Sequence, residues 1–277
     1  LEKRDMQGDI RQPPPRDVGT ARGVLRHAEA PGQFRHARVA PPPLLAAFVE
    51  HFWSVHWDLR GHAPQLRETL PHPNVHLVVE RGLTGVFGVH TARYVRHLEG
   101  LGCAFGVKFR PGGFHPFLRR PLASIADGSL TLPEVFGAAA DGFEDDVLAC
   151  ADTEGMIEVA TRFLVARRPQ PDAQVERVAG IVALIAGDRT LTRVEDLVQR
   201  CALGKRAMQR LFEEYVGVSP KWVINRYRLH EAVEQLAGGR PPDWSALAQN
   251  LGYFDQAHFI RDFKRLVGRT PADYAAS

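Results

Sequence analysis

Residues Gly252 to Tyr274 read GYFDQAHFIRDFKRLVGRTPADY, and the spacing of apolar residues in this stretch decides how the C-terminal third folds. Phe259, Phe263, Leu266 and Val267 recur at helical intervals and form one buried stripe. Asp255 stands just before it as an N-cap, its carboxylate placed to accept an otherwise orphaned backbone amide. Gly252, Tyr253 and Phe254 make a turn, and ahead of it Trp244, Leu247, Ala248 and Leu251 mark a shorter amphipathic helix. The second helix exposes Gln256, Arg261 and Lys264, with the apolar Ala257 and Ile260 among them.

The same grammar occurs about fifty residues earlier. Val194, Leu197, Val198 and Cys201 mark a short helix, Ala202 to Gly204 a turn, and Met208, Leu211, Phe212 and Tyr215 a second helix. Its other face shows Lys205, Arg206, Gln209 and Arg210. Thr192 followed three residues later by Glu195 predicts a capping box at the start of the pair. One amphipathic pair is usually only core, but two in register, each with a tight turn and a polar face, describe two helix-turn-helix units. Ser219 as N-cap, Pro220 at the first helical position and Gly238 with Gly239 as a stop predict a connecting helix. At 1.5 Å per residue its nineteen or so residues span roughly 28 Å, against roughly 34 Å for one turn of B-DNA. That length predicts recognition helices in successive major grooves on one face of a duplex.

Charge agrees only locally. The net charge is +3, and residues 1–174 balance 20 basic against 20 acidic side chains while residues 175–277 carry 15 against 12. Within 203–228, however, Lys205, Arg206, Arg210, Lys221, Arg226 and Arg228 face only Glu213 and Glu214, a cluster able to meet phosphate. A solvated helix surface is the alternative.

Upstream the pattern changes. Residues 1–21 are polar with three consecutive prolines and predict a disordered arm. Over 22–168, short apolar runs broken by Gly and Pro predict a β-rich domain. Trp53, Val55, Trp57 and Leu59 alternate with polar residues, as do Cys103, Phe105, Val107 and Phe109 with small or polar ones, so each strand is expected to bury one face. NVHLVVE and GVFGV are further strand candidates. The stretch from Asp141 to Arg168 reads as one or two helices, the candidate dimer surface. Pro169 and Pro171 break the chain, making 169–174 the expected linker to a helical domain over 175–277.

Three scattered cysteines exclude a disulfide framework and a thiolate zinc site, and no apolar run reaches membrane-spanning length. The reading is a bacterial cytoplasmic protein, on the nucleoid when bound to DNA. Ten of twelve histidines lie before residue 116. His72 and His76 would share a strand face, but with Pro73 between them and no third ligand at a fitting spacing no metal is expected. Trp53 and Trp57, with His72 and His76, are the candidate effector-pocket residues, ordinary barrel core being the alternative. No cofactor is expected, and the His and carboxylate triad of an oxygenase is not visible, so the chain is not read as an enzyme.

These motifs resemble the AraC/XylS family of bacterial transcription regulators. GYFDQAHFIRDFKRLVGRTPADY carries the likeness, with LGKRAMQRLFEEYVGVSPKWVINRYRL at Leu203 to Leu229 in support; turn, core aromatics, Gly-x-x-Pro after each recognition helix and connecting helix occur in order. The resemblance implies base contacts by Arg206, Gln209 and Arg210 in the first unit and by Gln256 and Arg261 in the second. Arg suits guanine, Gln adenine, and Ile260, where the family often has a small polar residue, a thymine methyl. Lys205, Lys221, Arg226, Lys264 and Arg265 are the expected phosphate contacts. LPHPNVHLVVE and FGVKFRPGGFHPFL resemble a sensor domain of the family, implying a cupin-like barrel with flanking helices. The function implied is a regulator of promoter DNA, controlled by a small-molecule effector or partner, acting on RNA polymerase if an activator and able to form a homodimer. A metal sensor or DNA-targeted enzyme with the same DNA anchor is the alternative.

Overall fold

The computed structural model describes Leu25 and residues 32–167, 169–236 and 243–276; the expected arm over 1–21 and the glycine stop at Gly238 and Gly239 lie outside these residues. Alternating apolar residues build strands β1 (Gln33–Val39), β2 (Val49–Asp58), β3 (Gln65–Thr69), β4 (His76–Val79), β5 (Gly85–Phe87), β6 (Tyr94–Leu98), β7 (Leu101–Phe109) and β8 (Ser129–Leu130). Six form an antiparallel sheet in the order β1-β2-β7-β4-β5-β8, while β3 and β6 pair only with each other. The expected barrel is therefore corrected: β3 and β6 spend their backbone groups on one another, so among the described residues no closed ladder forms. β8 went unread because two residues after Gly128 show no alternation; its partners Val86 and Phe87 define it.

The central pair β2 and β7 corrects a second expectation. Phe52, Phe105, Val107 and Phe109 face the main core with Leu77, Val79 and Val86, as alternation requires. Trp53 and Trp57 occupy the opposite face, and it too is covered, through a smaller cluster of Trp57, Leu59, Leu98 and Ala104 with Phe34, Trp53 and Val55 against it. The register explains how two indoles fit there. Trp53 lies opposite Gly106 and Trp57 opposite Gly102, and a Cβ at Gly106 would come within 2.2 Å of the Trp53 ring. The indoles occupy the room the missing side chains leave.

Helices cover the main core and continue to the C-terminus. They are α1 (His115–Leu118), α2 (Leu132–Phe136), α3 (Phe143–Leu148), α4 (Thr153–Ala166), α5 (Ala173–Gly187), α6 (Val194–Arg200), α7 (Lys205–Tyr215), α8 (Pro220–Leu236), α9 (Trp244–Asn250), α10 (Gln256–Val267) and α11 (Pro271–Ala275). Asp172 caps α5, accepting from the Gln174 amide at 2.8 Å. The capping box expected at Thr192 and Glu195 does not form: Arg193 is the N-cap of α6 without a side-chain bond, and Glu195 instead holds Lys205 at 2.9 Å. Boxes do close at Thr131 with Glu134 and at Thr270 with Asp273.

The strand-rich and helical regions touch along their length. Val89 joins the core of α5 to α8, and Leu25 and Leu70 join that of α8 to α10. His115 Nε2 meets Glu214 at 2.7 Å, and the Tyr215 hydroxyl donates to Asp172 at 2.7 Å. His72 precedes β4 and stacks parallel on His230 of α8 with ring centroids 4.0 Å apart.

Two outcomes follow. Gly106→Ala is expected to destabilise the chain by about 1–3 kcal/mol through overpacking, and by much less in a Trp53→Ala background, read by urea denaturation. Burial holds His72 and His76 below the ordinary imidazole range, His76 at about 3. The unfolded chain therefore takes up protons that the folded one refuses, so stability falls as pH drops from about 6.5 towards 3. A thermal midpoint that declines with acid, less steeply for His76→Gln, is the expected result.

Candidate nucleic-acid interface

Each helix pair in the C-terminal region is held by a turn in a conformation that L-residues rarely adopt. Ala202, after α6, has φ of 49°, and Gly252, after α9, has φ of 79°. The chain then folds back identically, the Leu203 amide donating to the Val198 carbonyl at 3.2 Å and the Tyr253 amide to Ala248 at 3.0 Å. Met208 and Phe212 of α7, like Phe259 and Phe263 of α10, are buried and turn their helices' other faces to solvent. Gly204 is the N-cap of α7, whereas Asp255 caps α10 by accepting from the His258 amide at 2.7 Å. Gly217 and Gly268 follow the two helices with φ of 90° and 89°, and Pro220 and Pro271 open the next ones.

These constraints place the expected readers. Arg206, Gln209 and Arg210 line the exposed side of α7, and Gln256 and Arg261 that of α10; Ile260 is half-buried, resting against the second pair's core. Among the phosphate candidates Lys221 and Lys264 are exposed, Lys205 is exposed but paired with Glu195, and Arg265 is exposed with Asp262 at 3.2 Å. Two shallow depressions mark the same faces. One of about 360 Å³ is lined by Arg210 with Leu203, Ala207 and Arg177, the other of about 520 Å³ by Phe254, Ala257, Ile260 and Gln256 with Ser245 and Gln249.

Arg226 is corrected. It is 1% exposed, donates from Nη2 to the Thr91 carbonyl at 2.6 Å and lies 4.5 Å over the Trp222 ring. Burial lowers it to about 10, still a cation at neutral pH, but it faces protein and not solvent. Arg228 from the same local cluster is fully buried, donating to the Ile185 and Asp188 carbonyls. Charge counting could not see this, because their helix is covered on sides that the count takes as open. Phe254, read as a turn residue, is 91% exposed and was missed as a candidate.

The four effector-pocket candidates pack against protein groups. Trp53 meets His76 edge-on at 6.3 Å, the Trp57 indole donates to the Glu99 carbonyl at 3.1 Å, and His72 stacks on His230. Among the described residues no group of three His, Cys, Asp or Glu side chains is placed to hold a metal ion. No described helix is long and apolar enough to cross a membrane.

Comparison with known proteins agrees with this geometry. Residues 197–277 match the family described as helix-turn-helix domain, and residues 37–131 match a domain of unknown function, DUF6597. The chain is similar to an uncharacterised HTH-type transcriptional regulator of Haemophilus influenzae, 25% identical over 97 residues, covering 35% of this chain and 32% of that protein. It is also similar to a putative AraC-like transcription regulator of Streptomyces antibioticus, 30% identical over 81 residues, covering 29% of this chain and 26% of that protein. The match thus spans between a quarter and a third of those relatives' length, and both carry the name of transcription regulators. A solved structure of ToxT from Vibrio cholerae aligns over 88% of this chain and 97% of that one at 12% identity, with a TM-score of 0.37.

The turns generate their own test. Ala202 holds a left-handed conformation that costs an L-residue about 1 kcal/mol or more, so Ala202→Gly is expected to raise the melting temperature by up to a few degrees. Gly252→Ala is expected to lower it, because a Cβ there would lie 2.4 Å from that of Thr192.

Proposed function

We propose that this chain, which carries an AraC-type helix-turn-helix domain, is a sequence-specific DNA-binding transcription regulator with two reading heads, α6 with α7 and α9 with α10. The observation that carries the reading is the repeat itself: two helix pairs with matching left-handed turns, each presenting an exposed arginine and amide side chains from its second helix. Arginine can bond both guanine acceptors and glutamine both adenine groups in the major groove, so Arg206, Gln209, Arg210, Gln256 and Arg261 serve as base readers. Lys205, Lys221, Lys264 and Arg265 serve as phosphate contacts, which position the protein without reading sequence. α8 joins the heads, and its 17 described residues span roughly 26 Å, a length suited to successive major grooves.

In this proposal the strand-rich region receives the signal, from a small molecule or a protein partner, and its contacts with both heads carry that signal to them. The protein works in the bacterial cytoplasm on promoter DNA, as a homodimer through the α3 and α4 segment, and contacts RNA polymerase where it activates. A metal sensor or DNA-targeted enzyme on the same anchor has no specific observation in its favour.

Binding to duplexes selected from a randomised pool tests this. Arg210→Ala and Arg261→Ala should each cost about 1–3 kcal/mol on the selected site and little on random DNA. Lys221→Ala should weaken both alike and reduce the salt slope by about 1, whereas Arg226→Ala should lose thermal stability with the slope unchanged. Equal losses on selected and random DNA for both arginines would reassign them to phosphate and remove the base-reading claim.

A further inference from the structure

Superposing the two heads by their own landmarks exposes a one-residue insertion. The short helices and the turns match at an offset of fifty, Ala202 with Gly252 and Leu203 with Tyr253, since their backbone bonds to Val198 and Ala248 are equivalent. From the N-caps onward the offset is fifty-one: Gly204 matches Asp255, Met208 matches Phe259, Phe212 matches Phe263, Gly217 matches Gly268 and Pro220 matches Pro271. The extra residue is Phe254, and it is 91% exposed.

The same alignment shows what changes at the reading surface. Arg210 is kept as Arg261, but Arg206 becomes Ala257 and Gln209 becomes Ile260. Two hydrogen-bonding side chains are exchanged for apolar ones beside an inserted aromatic, and Phe254, Ala257 and Ile260 form the apolar side of the 520 Å³ depression, whose other walls are the polar Ser245, Gln249, Asp255 and Gln256. The phenyl ring is held outward, because its neighbours are pinned: Tyr253 is buried and bonded to Ala248, and Asp255 is the N-cap of α10. An exposed aromatic fixed in that way adds nothing to the core and joins Ala257 and Ile260 in one apolar patch.

Resting on the reading of α10 as a DNA-reading helix, we propose that the apolar side of this depression, Phe254, Ala257 and Ile260, reads thymine by taking its 5-methyl group. In the major groove that methyl is the one apolar feature of the base edges. Charge favours a nucleic acid over an apolar protein segment as occupant. Arg261 and Lys264 lie on the same helix, Arg265 is paired with Asp262, and the Asp255 carboxylate is held by the His258 amide, so cations outnumber carboxylates beside the depression. The first head discriminates through hydrogen bonds, and the second adds this apolar contact to the hydrogen bonds of Gln256 and Arg261.

The test uses the full chain and a duplex selected by it from a randomised pool, with each thymine replaced in turn by deoxyuridine, which removes only the methyl. Loss of one buried methyl predicts about fourfold weaker binding at one or two thymines of a single half-site. Phe254→Ala, at an exposed position that leaves the core intact, and Ile260→Gln, which copies the first head, should each bind the thymine and deoxyuridine duplexes alike. Indifference of the parent chain to every substitution, or a methyl preference unchanged in both variants, overturns the proposal and leaves DNA reading standing. Failure to select any duplex overturns the DNA-binding reading itself, and this proposal with it.

Discussion

Burying α8 is the constraint on which the rest of the structure depends. A cation removed from water is tolerated only where fixed dipoles or an opposite charge replace its hydration. Arg228 meets that demand by closing the C-terminal end of α5 through the Ile185 and Asp188 carbonyls, with Glu231 3.2 Å away. Arg226 meets it by reaching the Thr91 carbonyl in the strand-rich region and the Trp222 ring on its own helix. The helix between them shares its apolar residues unevenly. Val223 and Ile224 complete the first pair's core, and Leu229, Ala232, Val233 and Leu236 complete the second's. Displacing α8 would therefore strand two charges and open two cores together.

The same packing ties the strand-rich region to α7 and α10 at equivalent points. Gly217 and Gly268 end α7 and α10 in the left-handed region, where the absence of a side chain removes the steric penalty. At each, the space a Cβ would fill is taken by the strand-rich region: the Leu122 carbonyl lies 2.8 Å from that point at Gly217, and the Arg93 guanidinium crowds it at Gly268. His72 stacked on His230 of α8 adds a further contact between the two regions. The expected linker over 169–174 separates the regions in sequence, yet they remain in contact.

Legibility followed the range of the interactions. Helix pairs were readable because the forces that define them, a 3.6-residue apolar period and caps within four residues, are local. Arg206, Gln209, Arg210, Gln256 and Arg261 lie on the exposed faces that the period assigns them. Local rules failed where a neighbour distant in sequence intervened. Thr192 lost its capping role and packs beside Gly252 instead, and Arg226 was drawn inward by Thr91. The one-residue insertion at Phe254 was hidden for a different reason: two repeats can look aligned by their helices while their turns differ by a residue.

By itself the sequence determined the strand-rich and helical halves, the repeat of two helix pairs and the polar side chains each presents, since periodicity and capping act over a few residues. Only the tertiary structure decided that the sheet stays open, that Trp53 and Trp57 lie over glycines, and which arginines face water. Those outcomes depend on strand pairing and on cover supplied by residues tens of positions away, Gly106 against Trp53 and Thr91 against Arg226. No local window contains both partners of such a contact, so its energy cannot appear in a local pattern.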